Sequence, residues 1–454
     1  MKSTKDLTVG SPMRLILGFA LPLLGGMLFQ QFYALMDTMI VGQFLGMEAL
    51  AGVGSTGSIN FMIIGFCMGV CAGFSIPIAQ KFGARDYATM RRFVVNAVYL
   101  SAAFALVMTV VIGLLTRRIL GWMNTPSDIM GYAYSYIFII FMGIPIVYIY
   151  NLFSSIIRAL GDSKAPVVFL VIASLINIVL DVVFIVNFKM GVAGAAVATN
   201  ISQFISGALC LVYIRKKIEI LHIQKGEWKL DLHRCKMLFV MGVPMGLQYS
   251  ITAIGSVVLQ TAVNSLGSMY VATMTAASKV SIFFCCPFDA LGTTMATYGG
   301  QNIGAGKLDR LNKGLKAGAA IGICYAVAAF VVLTLFGSRL SMIFFGEGTA
   351  TPEILANARL FLMCNSAFFI PLLFVNEIRF MIQGMGYPGF AILSGVMEMI
   401  ARVLAAVVLI PLLGFTGACL ASPLAWVFAD AFLFPAYFKL RQKTYERFGM
   451  AGQR

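Results

Sequence analysis

Apolar residues dominate the chain in long runs, and polar residues are concentrated in the short stretches between them. A helix that crosses a bilayer needs about 20 mainly apolar residues, and twelve runs reach that length. They lie near residues 13–37, 50–80, 93–116, 129–157, 165–187, 191–214, 236–263, 270–300, 314–336, 353–383, 388–411 and 414–438. The pattern predicts an all-α integral membrane protein with twelve transmembrane helices.

The two halves of the chain repeat one another. Short matches recur in the same order at offsets of 221 to 226 residues: Pro22 with Pro244, Leu45-Gly46 with Leu266-Gly267, Gln80–Ala84 with Gln301–Ala305, Pro145 with Pro371, and Gly191–Ala195 with Gly414–Ala418. Six helices per half is an even number, so both halves enter the membrane in the same direction. This predicts two six-helix lobes related by a pseudo-two-fold axis along the membrane normal.

The longest polar stretch falls at the midpoint of the chain and separates the two repeats. We therefore expect an N-lobe at 1–214, a cytoplasmic linker at 215–235, a C-lobe at 236–440 and a cytoplasmic tail at 441–454.

Charge is scarce and asymmetric. Only 11% of residues are charged and 60% are hydrophobic, whereas a soluble domain has about 25% charged residues. The net charge of +15 comes from basic residues that flank the apolar runs, which argues against a nucleic-acid partner. With the N-terminus inside, 25 Lys and Arg lie in connections on that side and four on the other. This predicts that both termini are cytoplasmic.

The first predicted span contains an acid and a proline. An acid such as Asp37 inside hydrocarbon is costly and rare, so it normally faces a cavity and has a function. Pro22 removes a helix hydrogen bond, and Gly25 and Gly26 add pliability beside it. We expect Pro22 to be the hinge of a moving helix, although Asp37 in a merely kinked structural helix is the alternative.

The other intramembrane acid of the first half is Asp181 in the fifth predicted span. Asn177 lies four residues before it and so shares its helix face, and Thr199 follows in the next span. Together with Asp37, these residues offer carboxylate, amide and hydroxyl oxygens. Such a set suits a small hard cation such as Na⁺, or a proton shared between carboxylates. A polar network that only locks the helices together is the structural alternative.

The second half does not repeat this set. Arg402 stands where Asp181 would match, and Glu398 lies one turn before it, so we expect these two to form a structural ion pair. The roles of Lys279, Asp289, Glu377, Arg379 and Asp430 stay open.

Methionine and aromatic residues near the predicted bends suit a cavity that binds varied organic cations. The candidates for lining a substrate cavity are Met27, Gln30, Tyr33, Met36, Met245, Gln248 and Tyr249. For any one of them, packing or lipid contact is the simpler explanation.

The sequence predicts neither an enzyme nor a cofactor. Nine cysteines lie mostly within apolar runs without metal-ligand spacing, and both histidines fall in the central linker. No nucleophile–base or metal constellation appears inside the spans. A channel is disfavoured because the acids are asymmetric within a bent repeat.

Several motifs resemble those of the multidrug and toxic compound extrusion (MATE) family, bacterial branch. They are Asp37–Gly42 with Leu45-Gly46 after the proline-bent first helix, Ala79–Ala84, Arg158–Asp162 and Gly191–Ala196. The likeness covers the whole chain.

The resemblance implies a secondary active antiporter of the bacterial inner membrane that exports amphipathic, often cationic compounds in exchange for Na⁺ or H⁺. It places the cation site at Asp37, Asn177, Asp181 and Thr199, and the helix bend at Pro22. We expect a monomer. Gln248 and Thr252 stand where some branches carry an acid, and Glu377 is only an approximate match to a second one. The alternative within the wider superfamily is a lipid-linked oligosaccharide or other lipid flippase.

Overall fold

A computed structural model describes residues 4–123, 125–343 and 351–449. The start of the predicted N-lobe and the end of the predicted tail therefore lie outside the described residues. Within these ranges the regular structure is helical. The helices are α1 Pro12–Leu45, α2 Met47–Ser55, α3 Gly57–Gly83, α4 Tyr87–Trp122, α5 Met130–Met142, α6 Ile144–Ala159, α7 Lys164–Val182, α8 Val192–Lys217, α9 Leu232–Asn264, α10 Ser268–Gly304, α11 Asp309–Met342, α12 Pro352–Ala367, α13 Phe369–Gly384, α14 Gly389–Leu404, α15 Ile410–Leu413 and α16 Phe415–Arg447.

The structure agrees with the predicted class of protein. In the described part of the chain, ten helical segments are long and apolar enough to cross a membrane. Two further pairs, α5–α6 and α12–α13, bend by 48° and 47° and make up to twelve spans if each pair crosses as one. Pro145 and Pro371 lie just after these breaks, where a residue without an N–H is tolerated in the first turn of a helix.

The second predicted span differs from the structure. The sequence pattern predicts one helix over 50–80, but α2 ends at Ser55 and α3 begins at Gly57. The hydroxyl and the backbone N–H of Thr56 both donate to the Val53 carbonyl. Glycines at 52, 54 and 57 also weaken the helix here, so an apolar run that looks continuous is broken.

The described residues form two compact units. Unit 1 is Leu21–Ser250 with the described part of Met1–Asp6, and unit 2 is Leu7–Ala20 with the described part of Ile251–Arg454. The boundaries fall inside α1, next to Pro22, and inside α9, whereas the predicted lobes divide the chain at the linker. The assignment of whole helices to lobes stays a prediction.

Unit 1 is built on close contact between α3 and the first half of α9. A Cβ atom on Gly73 would come within 2.5 Å of the Gly242 Cα, and one on Gly69 within 2.5 Å of the Met245 carbonyl oxygen. Small residues let membrane helices approach this closely. Around this contact, Phe74, Ile137, Phe141 and Ile156 are almost completely buried.

Unit 2 has a close contact between α10 and α13, the helices that match α3 and α6 in the repeat. A Cβ on Gly384 would lie 2.5 Å from the Ala296 carbonyl oxygen. Phe288 and Phe369 are fully buried beside it, with ring centroids 5.3 Å apart in an edge-to-face arrangement. Such pairs are favoured by the aromatic quadrupole.

The sequence repeat is also present in the backbone. A π-helical turn follows α7 at Val183–Asn187 and another follows α14 at Ala405–Leu409. The matched glycines Gly161 and Gly386 have φ of 85° and 95°, a left-handed conformation that glycine adopts without strain. The repeat therefore extends from residue type to local geometry.

The central linker is folded against unit 1. Glu227 is buried and accepts two hydrogen bonds from the Arg91 guanidinium of α4, at 2.7 and 2.8 Å. These bonds hold the pKa of Glu227 below its usual value. The fully buried Asn96 side chain donates to the Lys229 carbonyl and accepts from the Asp231 N–H. The linker is thus fastened to α4 rather than free.

Candidate functional site

The carboxyl groups of Asp37 on α1 and Asp181 on α7 are close enough to interact directly. Asp181 is fully buried. Two carboxylates carry no donor, so a hydrogen bond between them exists only when one of them holds a proton. No other donor in the described residues reaches Oδ1 of Asp37 or either oxygen of Asp181. The pair therefore needs a proton or a cation to be satisfied.

Asn177 and Thr199 lie beside this pair. The Thr199 hydroxyl donates to the Ala195 carbonyl at 3.0 Å, which uses its only hydrogen. The Tyr33 side chain of α1 lies near Thr199. Asn177 is fully buried, and neither its oxygen nor its nitrogen has a hydrogen-bond partner among the described residues.

A small cavity of about 30 Å³ lies next to these side chains within unit 1. That volume is close to the share of one water molecule. Its lining is mainly polar and comes from α1, α7 and α8: Gln30, Tyr33, Leu170, Ala173, Ser174, Asn177, Thr199, Ser202, Gln203 and Ser206. The cavity lining thus includes Asn177 and Thr199 of the predicted cation site but neither acid, and it also includes Gln30 and Tyr33, which the sequence suggested for a substrate cavity.

Tyr136 on α5 belongs to the same neighbourhood and was missed by the sequence reasoning. It is buried and lies within electrostatic range of Asp37, Asp181 and Tyr33. A tyrosine in an apolar run carries no pattern that separates it from packing. Only the approach of α5 to α1 and α7 identifies it.

The donor set fits a small hard cation. In the described part of the chain neither Asp37 nor Asp181 forms an ion pair. The same part of the chain has no metal site made of three or more His, Cys, Asp or Glu side chains. The oxygens present come from two carboxyl groups, the Asn177 amide and the Thr199 hydroxyl. This is the chemistry of a site that binds Na⁺ with additional carbonyl or water ligands, or that shares a proton.

The other predicted residues lie on α1 and α9. Pro22 is inside α1, Met27 and Met36 are half-buried on the same helix, and Gln30 is exposed. On α9, Met245 and Gln248 are buried, whereas Tyr249 is half-buried with its Cβ facing Gly65 of α3. These α9 positions belong to the packed contact of unit 1.

The predicted pair of Glu398 and Arg402 is confirmed, with one nitrogen–oxygen distance of 3.4 Å. Arg379 of α13 also binds Glu398, a partner that spacing along one helix does not reveal. Asp289 and Asp430 lie within electrostatic range of Arg379. Glu377 is fully buried, and neither of its oxygens has a hydrogen-bond partner among the described residues.

Arg158 lies in the last turn of α6, and its side chain is half-buried. The guanidinium donates to the Ser155 hydroxyl at 2.8 Å, and its electrostatic neighbours are Cys71, Tyr150, Cys210 and Tyr249. No carboxylate of the described residues forms an ion pair with it.

Comparison with known proteins gives a matching family model and relatives that share one description. The family model described as MatE matches residues 22–183 and 244–410. The probable multidrug resistance protein YoeA of Bacillus subtilis is 28% identical over 336 residues, covering 72% of this chain and 73% of that protein. YpnP of the same organism, also described as a probable multidrug resistance protein, is 28% identical over 373 residues, 82% of each chain.

Solved structures show the same fold. One described as an outward-facing multidrug resistance MATE family transporter of the MOP superfamily matches with a TM-score of 0.90 and 22% identity, over 98% of this chain and 99% of that one. At this identity the likeness concerns the fold alone.

Proposed function

Because the chain belongs to the multidrug and toxic compound extrusion (MATE) family of transporters, we propose that it exports amphipathic, cationic organic compounds in exchange for Na⁺, with protons competing at the same site. Multidrug efflux by its relatives supports the transport activity. We further propose that it acts as a monomer in the bacterial inner membrane with both termini in the cytoplasm.

The observation that supports the coupling proposal is the pair Asp37 and Asp181. Among the described residues the pair has no basic partner, and Oδ1 of Asp37 and both oxygens of Asp181 have no hydrogen-bond partner. Buried charge without a partner is costly. A cation that binds here removes that cost and changes the charge of the site by one unit. Ion binding can therefore favour one conformation of the protein over another, which is what an antiporter requires.

Na⁺ rather than H⁺ is favoured by the residues around the two acids. A proton needs only the carboxyl groups, whereas a hard metal cation needs several oxygen ligands. Asn177 has an unpartnered buried carbonyl oxygen, and the Thr199 oxygen lies beside it in the cavity wall. These oxygens add ligands that a proton carrier does not require.

The test uses purified protein in liposomes with an inward Na⁺ gradient, equal pH on both sides and a clamped membrane potential. We expect export of a fluorescent organic cation, and about tenfold weaker Na⁺ activation in Asn177→Ala, equivalent to ~1.4 kcal/mol. Absence of Na⁺-driven export in the wild type, together with intact pH-driven export in Asn177→Ala, would identify the site as a proton relay.

The flippase alternative is not favoured by the relatives, which are described as probable multidrug resistance proteins. The same liposomes distinguish it, because a flippase would move a labelled lipid-linked oligosaccharide between leaflets without a Na⁺ gradient.

A further inference from the structure

A polar stripe leads away from the acid pair along α8. Thr199, Gln203, Ser206 and Cys210 follow at helical spacing, so they share one face of α8. Eleven residues separate the first from the last, which corresponds to about 16 Å along a helix axis. Thr199, Gln203 and Ser206 line the small cavity, so the stripe begins at the proposed ion site.

The middle of the stripe offers polar groups suited to water. The Gln203 side-chain oxygen has no hydrogen-bond partner among the described residues, and buried groups of this kind are normally satisfied by ordered water. Beyond the cavity, the Tyr150 hydroxyl of α6 lies near Ser206, whose hydroxyl has no hydrogen-bond partner among the described residues. A cation or proton that leaves the acid pair can therefore be solvated in this direction.

Arg158 terminates the stripe. Its guanidinium lies beside Tyr150 and the fully buried Cys210, and the described carboxylates form no ion pair with it. The positive charge is therefore not neutralised locally. A fixed arginine in a polar passage repels cations and protons, as arginines do in selective pores.

The other half of the chain supplies an internal comparison. Arg158 precedes Gly161 by three residues, and Gln383 precedes the matched Gly386 by the same number. Both glycines have the same left-handed backbone, so the two side chains occupy equivalent positions of the repeat. In the first half, where Asp37 and Asp181 have no basic partner, this position holds Arg158. In the second half, where Glu398 binds two arginines, it holds the neutral amide of Gln383.

We propose that Arg158 is a charge barrier that stops the coupling cation from leaking out of the acid site along the α8 stripe. The barrier keeps ion movement tied to the conformational change that moves the drug. Arg158 lies at the end of the stripe away from Thr199, so it determines leak and stoichiometry rather than ion binding itself. This inference rests on the proposed function, because it takes Asp37 and Asp181 as a cation site.

The experiment measures uptake of radioactive Na⁺ into proteoliposomes without any drug, under an inside-negative potential. We expect Arg158→Gln to raise this leak at least tenfold and to lower the amount of drug exported per Na⁺ entered. Arg158→Lys, which keeps the charge, should resemble the wild type. Gln383→Met at the matched position should not leak.

A double variant tests whether the leaking cation enters through the acid pair. Asp181→Asn combined with Arg158→Gln should abolish the added leak, because the cation no longer enters the stripe from the acid pair. A leak that persists in this double variant, or no added leak in Arg158→Gln, would overturn the proposal. Since this assay needs no coupled export, loss of Na⁺-driven export in the wild type would refute the proposed function without deciding the barrier.

A third variant covers the case in which Arg158→Gln does not fold. Cys210→Asp places a carboxylate beside the intact guanidinium and should neutralise its field, so the same leak is expected. Cys210→Asn has nearly the same shape without charge and should remain tight. Equal leak rates for these two variants would contradict the barrier.

Discussion

The two α-helices that end in π-helical turns carry opposite charges at matched positions. In unit 1, Asp181 of α7 is followed by the turn at Val183–Asn187, and in unit 2, Arg402 of α14 is followed by the turn at Ala405–Leu409. Asp181 faces another carboxyl group and no outside donor of the described residues. Arg402 and Arg379 both bind the single carboxylate of Glu398.

This difference separates two uses of buried charge within one repeated backbone. Opposite charges that pair inside the protein contribute to a defined structure. Removing one of them is costly because the other remains buried without a partner. Charges that lack a partner must take up a proton or a cation from solution. The repeat supplies the same scaffold twice with different side chains. Unit 1 keeps two acids together without a basic partner, whereas unit 2 pairs Glu398 with two arginines and leaves Glu377 buried without a partner among the described residues.

The largest effect is expected when Asp37 and Asp181, which have no basic partner, are neutralised. Asp37→Asn or Asp181→Asn should lower ion-driven export by roughly 100-fold or more, about 2.7 kcal/mol, while the protein stays folded. The physical reason is that an amide cannot change charge when the ion binds. Initial rates of drug export in liposomes measure this. Wild-type export by both variants would remove the acid pair from the mechanism.

The matched change in unit 2 should act on stability instead. Glu398→Gln leaves Arg379 and Arg402 buried without their carboxylate, so we expect a loss of about 3–5 kcal/mol in the free energy of unfolding. Thermal unfolding in detergent measures this loss. The ratio of drug to Na⁺ in the folded fraction should be unchanged, and a changed ratio would show that unit 2 also takes part in coupling.

A paired acid within unit 1 sharpens the comparison further. Glu227→Gln weakens two charged hydrogen bonds from Arg91 and should cost about 1.5–3 kcal/mol of stability, with coupling unaffected. The pKa of Glu227 is lowered in the folded protein, so its contribution is present above the unfolded pKa of about 4.3 and is lost as pH falls through the lower folded value. Unfolding measured from pH 7 downward should show the two proteins converging.

The smallest effect is expected from the prolines that the repeat also matches. We propose that Pro22 is the hinge of α1, so Pro22→Ala should slow turnover about threefold, or ~0.65 kcal/mol, and change drug affinity less. Pro244→Ala is the matched control, because Gly242 and Gly246 hold that part of α9 against α3. Equal export rates in wild type and Pro22→Ala would show that the proline is only a tolerated break.

The sequence alone determined the class of protein and the internal repeat, and it predicted twelve spans where the described residues contain ten to twelve candidates. These follow from local properties: run length, the order of matched motifs and the scarcity of charge. It also identified Asn177 with Asp181 and Glu398 with Arg402 as neighbours, because residues four apart share a helix face. The break at Thr56 escaped it, since an apolar run looks the same whether one helix or two occupy it.

Only the tertiary structure decided which faces of different helices meet. It brought Asp37 to Asp181, added Tyr136 to their surroundings, joined Arg379 to Glu398 and fastened Glu227 to Arg91. In a soluble helix the apolar stripe marks the buried face. In a membrane helix the lipid-facing and protein-facing sides are both apolar, so the sequence pattern carries little information about which neighbour each side will contact.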